Sequence, residues 1–244
     1  PAAVFTRSAG ATSMLTIAQL TGRDDSHLVP CAGPHRLQAD AAAAFERLQS
    51  DAREAGFELA IASSHRSYER QRIIWNGKAG GERAVHDDAG APVDVLALPP
   101  AARLHAILRF SALPGTSRHH WGTDLDIYDA AAVPADYAVQ LTPAEVAPGG
   151  PFDALHRWLD ERMAAHASQG FFRPYARDCG GVAPERWHLS YAPLSRELAG
   201  RVSARALCEC WDCDREPLAL RAEVEAELPA LLARYVAVAE NWCG

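Results

Sequence analysis

The chain has 244 residues, of which 48% are hydrophobic, and this is enough apolar sequence to bury the core of one large domain or two small ones. The formal net charge of −7 argues against nucleic acid or an anionic membrane as a partner, because phosphate binding needs clustered lysines and arginines. The most apolar stretch, residues 96–113, contains prolines, arginines and a histidine. We therefore expect it to form a helix of the fold and not a membrane span.

The N-terminus and the cysteines bear on the cellular compartment. Residues 1–20 lack the uninterrupted apolar region of a secretory signal peptide. Three of the six cysteines, Cys208, Cys210 and Cys213, lie within CECWDC without a second pair of ligands nearby, so we expect free thiols there and not a second metal site. These features favour a cytoplasmic location, with the periplasm as the alternative if a signal peptide has been removed.

The order of helical and strand patterns predicts one α+β domain without internal repeats. Its expected parts are an N-terminal extension (1–24), a core (25–200) and a helical C-terminal tail (201–244) that packs on the core. The first predicted elements are a helix at 40–56, a strand at 57–64, a helix that begins within 65–71 and runs through Trp75, and a loop at 77–92. A helix at 99–113, a strand at 123–129, an irregular segment at 130–151 and a helix at 152–167 follow. The last are a loop that leads to a short strand within 171–191 and a helical tail at 216–242 that Pro229 splits in two.

The strand predicted at residues 123–129 alternates apolar and polar side chains. Leu125 and Ile127 are expected to face the core, while Asp124 and Asp126 face the opposite side. The ten residues 117–126, SRHHWGTDLD, combine two histidines with these two aspartates immediately before and within the strand. Such a density of imidazole and carboxylate groups is typical of a metal site.

A catalytic zinc site needs three protein ligands and a water molecule. His119 and Asp126 converge if Gly122 allows the backbone to turn between them, and the third ligand must come from elsewhere in the chain. In PERWHLSY, Glu185 precedes His188 by three residues, so a turn or a bulged strand end can aim both side chains into one cavity. His188 would then bind the metal, and Glu185 would accept a proton from the metal-bound water, whose pKa zinc lowers from about 15.7 to about 7.

The other histidines are interpreted as ordinary core or surface residues. His120 adjoins a candidate ligand and is expected to point away from the metal. The remaining histidines that are given no functional role are His27, His35, His86, His105, His156 and His166.

Three sequence blocks together resemble one peptidase family. Residues 117–126 read S-x-H-x-x-G-x-x-x-D, Glu185 to His188 reads E-x-W-H, and SSHRSYERQ lies upstream at residues 63–71. This combination resembles VanY-like zinc D-alanyl-D-alanine carboxypeptidases, in the structural group that includes lysostaphin-type peptidases and hedgehog. The resemblance covers residues 25–195 and implies a small antiparallel sheet flanked by helices.

The resemblance implies one Zn²⁺ per chain, held by His119, Asp126 and His188. It makes Glu185 the general base, which returns its proton to the leaving amine, and it places Arg66 on the substrate's terminal carboxylate or the developing oxyanion. A guanidinium suits a carboxylate because it binds both oxygens; the alternative for Arg66 is a structural ion pair. Further substrate-side candidates are Ser64, Ser67, Gln71, Ser117 and Trp187, with packing beneath the site as the alternative for Trp187.

Two positions depart from the family pattern. Asp124 stands where alanine is common, so the strand carries a second carboxylate, and Asp126 is the one expected to bind metal. His65 stands where a tyrosine usually precedes the arginine, and this change is expected to bear on substrate preference.

The predicted function is hydrolysis of the C-terminal D-alanine of peptidoglycan stem peptides. The alternatives are an L,D-carboxypeptidase that trims tetrapeptides in muropeptide recycling, an endopeptidase with the same site chemistry, a non-catalytic zinc-containing binding module and a metal-free structural domain. Because Glu185 supplies a base next to His188, the sequence favours hydrolysis over binding alone. No partner other than such a peptide is predicted.

Overall fold

A computed structural model describes residues 14–238 of the chain. Its main sheet has four antiparallel strands in the order β3-β4-β6-β5. The strands are β1 (Val29–Pro30), β2 (Arg36–Leu37), β3 (Leu59–Ser63), β4 (Asp124–Asp129), β5 (Phe171–Phe172) and β6 (His188–Tyr191), of which β1 and β2 form a separate small sheet. The helices are α1 (Ile17–Leu20), α2 (Ala39–Glu54), α3 (Tyr68–Ala79), α4 (Pro100–Leu108), α5 (Pro143–Val146), α6 (Asp153–Ala164), α7 (Ala192–Leu198), α8 (Ala204–Asp212) and α9 (Arg221–Leu231).

One face of the sheet is covered by α2 and α6. Phe45 and Leu48 of α2 pack there against Leu125 and Ile127 of β4, and all four side chains are fully buried. The predicted alternation of β4 is therefore confirmed, and so is the predicted combination of a small antiparallel sheet with flanking helices. Because apolar residues occupy this face, the polar side chains of β4 are directed to the other one.

A second core lies between α3, α4 and the C-terminal helices. It contains Trp75 of α3, Ile107 of α4, Trp211 of α8 and Leu228 of α9, all of them buried. This core fixes α3 and the segment that follows α4. Within residues 14–238, no helix is long and apolar enough to cross a bilayer.

Several boundaries differ from the sequence prediction. Helix α3 continues through Gly77 to Ala79, so the loop begins three residues later than predicted. The segment predicted as irregular contains the short helix α5. Pro229 does not split the tail, because it lies inside α9, and a π-helical turn at Leu232–Val236 follows. The proline removes the usual donor to the carbonyl of Glu225, an exposed residue, while buried Leu228 and Leu231 keep the helix packed. Residues 239–242 of the predicted tail helix lie outside the described part of the chain.

The CECWDC segment forms most of α8, which lies within the predicted helical tail (201–244) but precedes the tail helix predicted at 216–242. Cys210 is buried, and its Sγ accepts a hydrogen bond from Arg23 Nε at 2.8 Å. Cys208 is half-buried and Cys213 is exposed at the end of the helix, and all three are free thiols.

Candidate active site

Three predicted metal ligands meet on the polar side of the main sheet. Asp126 of β4 lies directly opposite His188 of β6 in the strand register. His119 comes from a 3₁₀ turn, Arg118–Trp121, that ends at Gly122 with φ +71°. A Cβ at Gly122 would lie 2.1 Å from the side chain of Leu28, so only glycine allows the close turn that returns the chain to β4.

The ligand atoms converge in a small buried space. His119 Nε2 lies 3.4 Å from Asp126 Oδ2, and His188 Nδ1 lies 3.1 Å from Asp126 Oδ1. One ligand atom from each of the three residues falls within 4.8 Å of the others. None of these residues is more than 5% exposed.

The outer nitrogen of each imidazole is already engaged, which leaves the inner one free. His119 Nδ1 lies 2.8 Å from the carbonyl oxygen of Ser64, and His188 Nε2 lies 3.0 Å from Asp124 Oδ1. Asp126 Oδ1 is buried yet accepts no hydrogen bond. Metal-binding histidines characteristically donate their outer N–H to an oxygen, and a buried bare carboxylate oxygen needs a positive partner. The three residues therefore fit a divalent metal ion.

Asp124 belongs to a different set of contacts. It is fully buried and accepts hydrogen bonds from Arg118 Nε at 2.7 Å and from the Thr123 hydroxyl at 2.5 Å. Its third contact is the outer nitrogen of His188. The structure thus separates the two aspartates: Asp126 faces the metal-ligand atoms, and Asp124 lies behind His188.

The charges in the site are strongly coupled. Burial alone would raise the pKa of Asp126, but the neighbouring His119 and His188 hold it well below its usual range. Burial alone would lower the pKa of His188, yet its hydrogen bond to Asp124 and the adjacent carboxylate of Asp126 raise it to about 9. For His119 burial prevails and lowers the pKa. The carboxylates of Asp124 and Asp126 thus lie at the two nitrogens of His188, and their negative charge would favour a bound cation.

Glu185 lies beside this group without belonging to it. Its Oε2 is 3.6 Å from His188 Nδ1, and burial raises the pKa of Glu185 to about 7. A backbone turn fixes the residue, because its N–H donates to the carbonyl of Tyr175 at 2.9 Å and its carbonyl accepts from the N–H of His188 at 3.2 Å. The predicted turn that aims both side chains into one cavity is therefore present.

Arg66 approaches the same cavity from the start of α3. Its guanidinium donates to Gln71 Oε1 at 2.9 Å, and its backbone carbonyl accepts from His120 Nδ1 at 2.7 Å. His120 Nε2 accepts from the N–H of Gly115 at 3.1 Å, so this histidine points away from His119 as expected. Within residues 14–238, no carboxylate lies within ion-pair distance of Arg66, so the structure gives no support to the alternative of a structural ion pair.

With this geometry in place, comparison with known proteins assigns the family. Residues 34–194 match the VanY family of D-alanyl-D-alanine carboxypeptidases. The chain belongs to this family. The resemblance found in the three sequence blocks is thereby confirmed, and a peptidase of the hydrolase class is the activity that this membership supports.

This VanY-family chain is also similar to individual proteins. An uncharacterized protein of Haemophilus influenzae is 48% identical over 103 residues, which are 41% of this chain and 70% of that protein. The solved structure of VanYB in complex with D-alanine-D-alanine is 22% identical, with a TM-score of 0.50 over 79% of this chain and 92% of that one. The LdcB LD-carboxypeptidase is 20% identical, with a TM-score of 0.51 over 84% and 80% of the two chains. These two structures share the fold with this chain.

A pocket of about 690 Å³ lies at this site. The metal-ligand group, Glu185 and Arg66 all line it. Of the substrate-side candidates, Ser117 and Trp187 also line it, and Trp187 packs beneath on Phe152, as its alternative interpretation proposed.

The other substrate-side candidates lie outside the pocket lining. The Ser67 hydroxyl accepts from the N–H of Arg70 at 3.2 Å and caps α3, while the Ser64 hydroxyl lies 3.0 Å from His35. Gln71 is fully buried and holds Arg66. The structure gives these three residues positions that shape the site without contacting the cavity. His65 is also absent from the lining, and burial lowers its pKa to about 4.

Lys78 and Tyr175 are among the pocket residues that were not found from the sequence. Lys78 on α3 and Tyr175 in the loop before Glu185 both line the cavity. The ring of Tyr175 packs edge-on against His188, with ring centroids 5.1 Å apart. Lys78 lies seven positions after Gln71 on the same helix, and this spacing would have indicated a shared face had α3 been predicted to its full length. No local pattern marks Tyr175.

Proposed function

We propose that this VanY-family protein is a zinc-dependent carboxypeptidase that removes the C-terminal D-alanine of peptidoglycan stem peptides. The observation that carries the proposal is the arrangement in one pocket of a buried His119–Asp126–His188 group, a carboxylate 3.6 Å from one of these ligands, and Arg66 without an acidic partner among the described residues. Hydrolysis of a peptide needs an activated water, a base and a cation for the developing charge.

His119, Asp126 and His188 would hold the zinc ion through their inward-facing atoms. When bound, the metal lowers the pKa of a coordinated water and polarises the scissile carbonyl. Two imidazoles and one carboxylate are a common ligand set for catalytic zinc and leave a fourth position open.

Glu185 would act as the general base. Its carboxylate lies next to the ligand atoms, so it accepts a proton from the attacking water and then delivers that proton to the amine of the departing residue. The hydrogen bonds of its backbone to Tyr175 and His188 fix the carboxylate at this position. A non-catalytic binding module has no need of a base here, and this favours hydrolysis.

Arg66 would provide the positive charge on the substrate. Its guanidinium is held by Gln71 and its backbone by His120, so it is oriented before substrate binds. Electrostatic stabilisation by such a preorganised group is often the largest single contribution to catalysis.

Product analysis by mass spectrometry tests the proposal. The zinc-loaded protein is incubated with a pentapeptide stem ending in D-Ala-D-Ala and with a tetrapeptide stem, and Glu185→Ala serves as the control. Loss of one D-alanine from the pentapeptide alone identifies a D,D-carboxypeptidase, whereas trimming of the tetrapeptide identifies the L,D-activity.

The control separates chemistry from folding and metal binding. Glu185→Ala is expected to retain zinc and lose turnover by a factor of about 10² to 10⁴. If the wild-type protein binds zinc and cleaves neither peptide, the proposed function is wrong and an endopeptidase or a binding module takes its place.

A further inference from the structure

Lys78 is a cation in the pocket that the chemistry described above does not use. Its half-buried side chain extends from α3, and Nζ donates to the Ser111 hydroxyl at 2.7 Å. Within residues 14–238, no carboxylate lies within 4 Å of this ammonium group. Burial and the nearby charge of Arg66 both lower the pKa of Lys78. The surroundings of the Lys78 ammonium group therefore disfavour its positive charge.

Lys78 and Arg66 are both connected to one short segment after α4. Gln71, which holds Arg66, donates to the carbonyl of Ala112 at 2.7 Å, and Lys78 donates to the adjacent residue Ser111. Gln71 and Lys78 are two turns apart on one face of α3, about 10.5 Å along its axis. The lysine side chain thus reaches along the helix to the same short segment that Gln71 contacts.

A purely structural role does not account for this arrangement. An ammonium group has three N–H donors, and in the described chain the Ser111 hydroxyl takes one of them. A neutral donor would serve Ser111 equally well without the cost of burying a charge beside Arg66. An anion that enters the pocket would offset both positive charges at once.

The chemistry at Glu185 indicates which substrate group this anion is. Glu185 and Lys78 line the same pocket. Glu185 protonates the leaving amine, and in a single departing residue the carboxylate is bonded to the carbon that bears this amine. The carboxylate of the departing residue is therefore the anionic group of the substrate closest to Glu185, in the pocket that Lys78 also lines.

We propose that Lys78 binds the C-terminal carboxylate of the substrate and leaves Arg66 to hold the scissile carbonyl oxygen. This inference rests on the proposed function and makes it more specific, because it assigns the recognition of a free chain end to a residue outside the motif blocks. It explains why the pocket contains two cations without acidic partners in the described chain.

The test compares two synthetic stem pentapeptides that differ only at the last group, a free carboxylate or a carboxamide. For the zinc-loaded wild type, kcat/KM is expected to favour the acid by about 10- to 100-fold, the range of a hydrogen bond to a charged group. Lys78→Met should lose this preference, mainly through a higher KM for the acid, while cleavage of the amide stays within about threefold of wild type. Lys78→Arg should restore part of the preference.

Two variants control for structure and for general charge. Ser111→Ala removes the partner of Lys78 and keeps the ammonium, and Arg83→Met removes an exposed positive charge from the vicinity; both should keep the preference for the acid. The proposal is overturned if Lys78→Met still discriminates between acid and amide, or if Ser111→Ala abolishes the discrimination to the same extent.

Binding measurements keep this result separate from the proposed function. Calorimetry with zinc-loaded Glu185→Ala compares the two pentapeptides without turnover, and Lys78→Met in that background should weaken binding of the acid and not of the amide. If the wild type hydrolyses neither peptide but this binding difference persists, the hydrolase is disproved and the carboxylate site stands. Equal binding of the acid with and without Lys78 would disprove the site.

Discussion

Asp124 lies behind His188, with Oδ1 3.0 Å from the outer nitrogen of the imidazole. Because β4 places residues 124 and 126 on one face and β6 sets His188 opposite Asp126, the same imidazole contacts a carboxylate at each nitrogen. Arg118 neutralises Asp124 from the far side, at 2.7 Å. Asp124 is therefore suited to orient His188, while Asp126 remains the candidate ligand.

Replacing Asp124 by asparagine should weaken zinc binding. The variant keeps the shape of the side chain but removes the charge that holds the His188 N–H and the Arg118 guanidinium. Loss of such an outer carboxylate typically costs 10- to 100-fold in metal affinity, which competition with a chromophoric chelator measures. Asp129→Asn, on the same strand but away from the site, should retain the wild-type affinity. An unchanged affinity in Asp124→Asn would show that His188 needs no such support.

His120 should act as a positioning residue for Arg66. In His120→Phe, the Arg66 carbonyl and the Gly115 N–H both lose a buried hydrogen-bond partner, at about 1–3 kcal/mol for each unpaired group. We expect kcat/KM to fall by about 10-fold or more, since a misplacement of 1 Å costs on the order of 10²-fold, with the zinc content unchanged. Steady-state kinetics and metal analysis check this. Activity equal to wild type in a folded His120→Phe protein would contradict it, and His27→Phe serves as the matched control.

Most of the candidate ligand set could be predicted from local geometry; only the position of His188 opposite Asp126 depends on the tertiary pairing of β4 with β6. The alternation of β4 fixes the direction of Asp126, and only glycine at position 122 allows the turn that brings His119 back towards it. The turn that begins at Glu185 is likewise local, since its carbonyl bonds to the N–H of His188 three residues later. Short-range constraints of this kind are fully present in the motif.

The remaining features depend on tertiary contacts that no local pattern reports. Gly77 suggested the end of a helix, but burial of Trp75 and Ala79 in the second core carries α3 past it and brings Lys78 to the pocket. Pro229 suggested a break, but the packing of Leu228 and Leu231 outweighs the loss of one hydrogen bond. The differences from prediction at Gly77 and Pro229 therefore arise because core packing overrides the conformational preference of a single residue.

Removal of zinc should lower the thermal stability of the protein. Without a cation, the Asp126 carboxylate keeps a buried oxygen that accepts no hydrogen bond. A ligand at 1,000 times its dissociation constant stabilises the folded state by about 4 kcal/mol, which for a chain of this size corresponds to roughly 8–16 °C in Tm. Melting curves before and after dialysis against a chelator measure the shift, and re-added zinc should reverse it. His119→Ala should respond little to zinc; a wild-type Tm independent of zinc would count against the metal site.

His156 should make the fold sensitive to acid. The imidazole is fully buried, and its burial together with the nearby Arg173 and Arg186 lowers its pKa to about 3, while Asp160 opposes this only weakly. In the unfolded chain the group titrates near 6.5, so below that pH the unfolded state binds the extra proton and stability falls by about 1.4 kcal/mol per pH unit until the folded pKa is reached. The stability that neutral His156 contributes is thus present above pH 6.5 and lost between about 6.5 and 3. Urea denaturation at pH 7 and pH 5 should show a smaller decrease for His156→Gln than for wild type. A variant of the exposed His166, such as His166→Asn, should keep the wild-type decrease, and an equal decrease in His156→Gln would show that other groups determine the acid sensitivity.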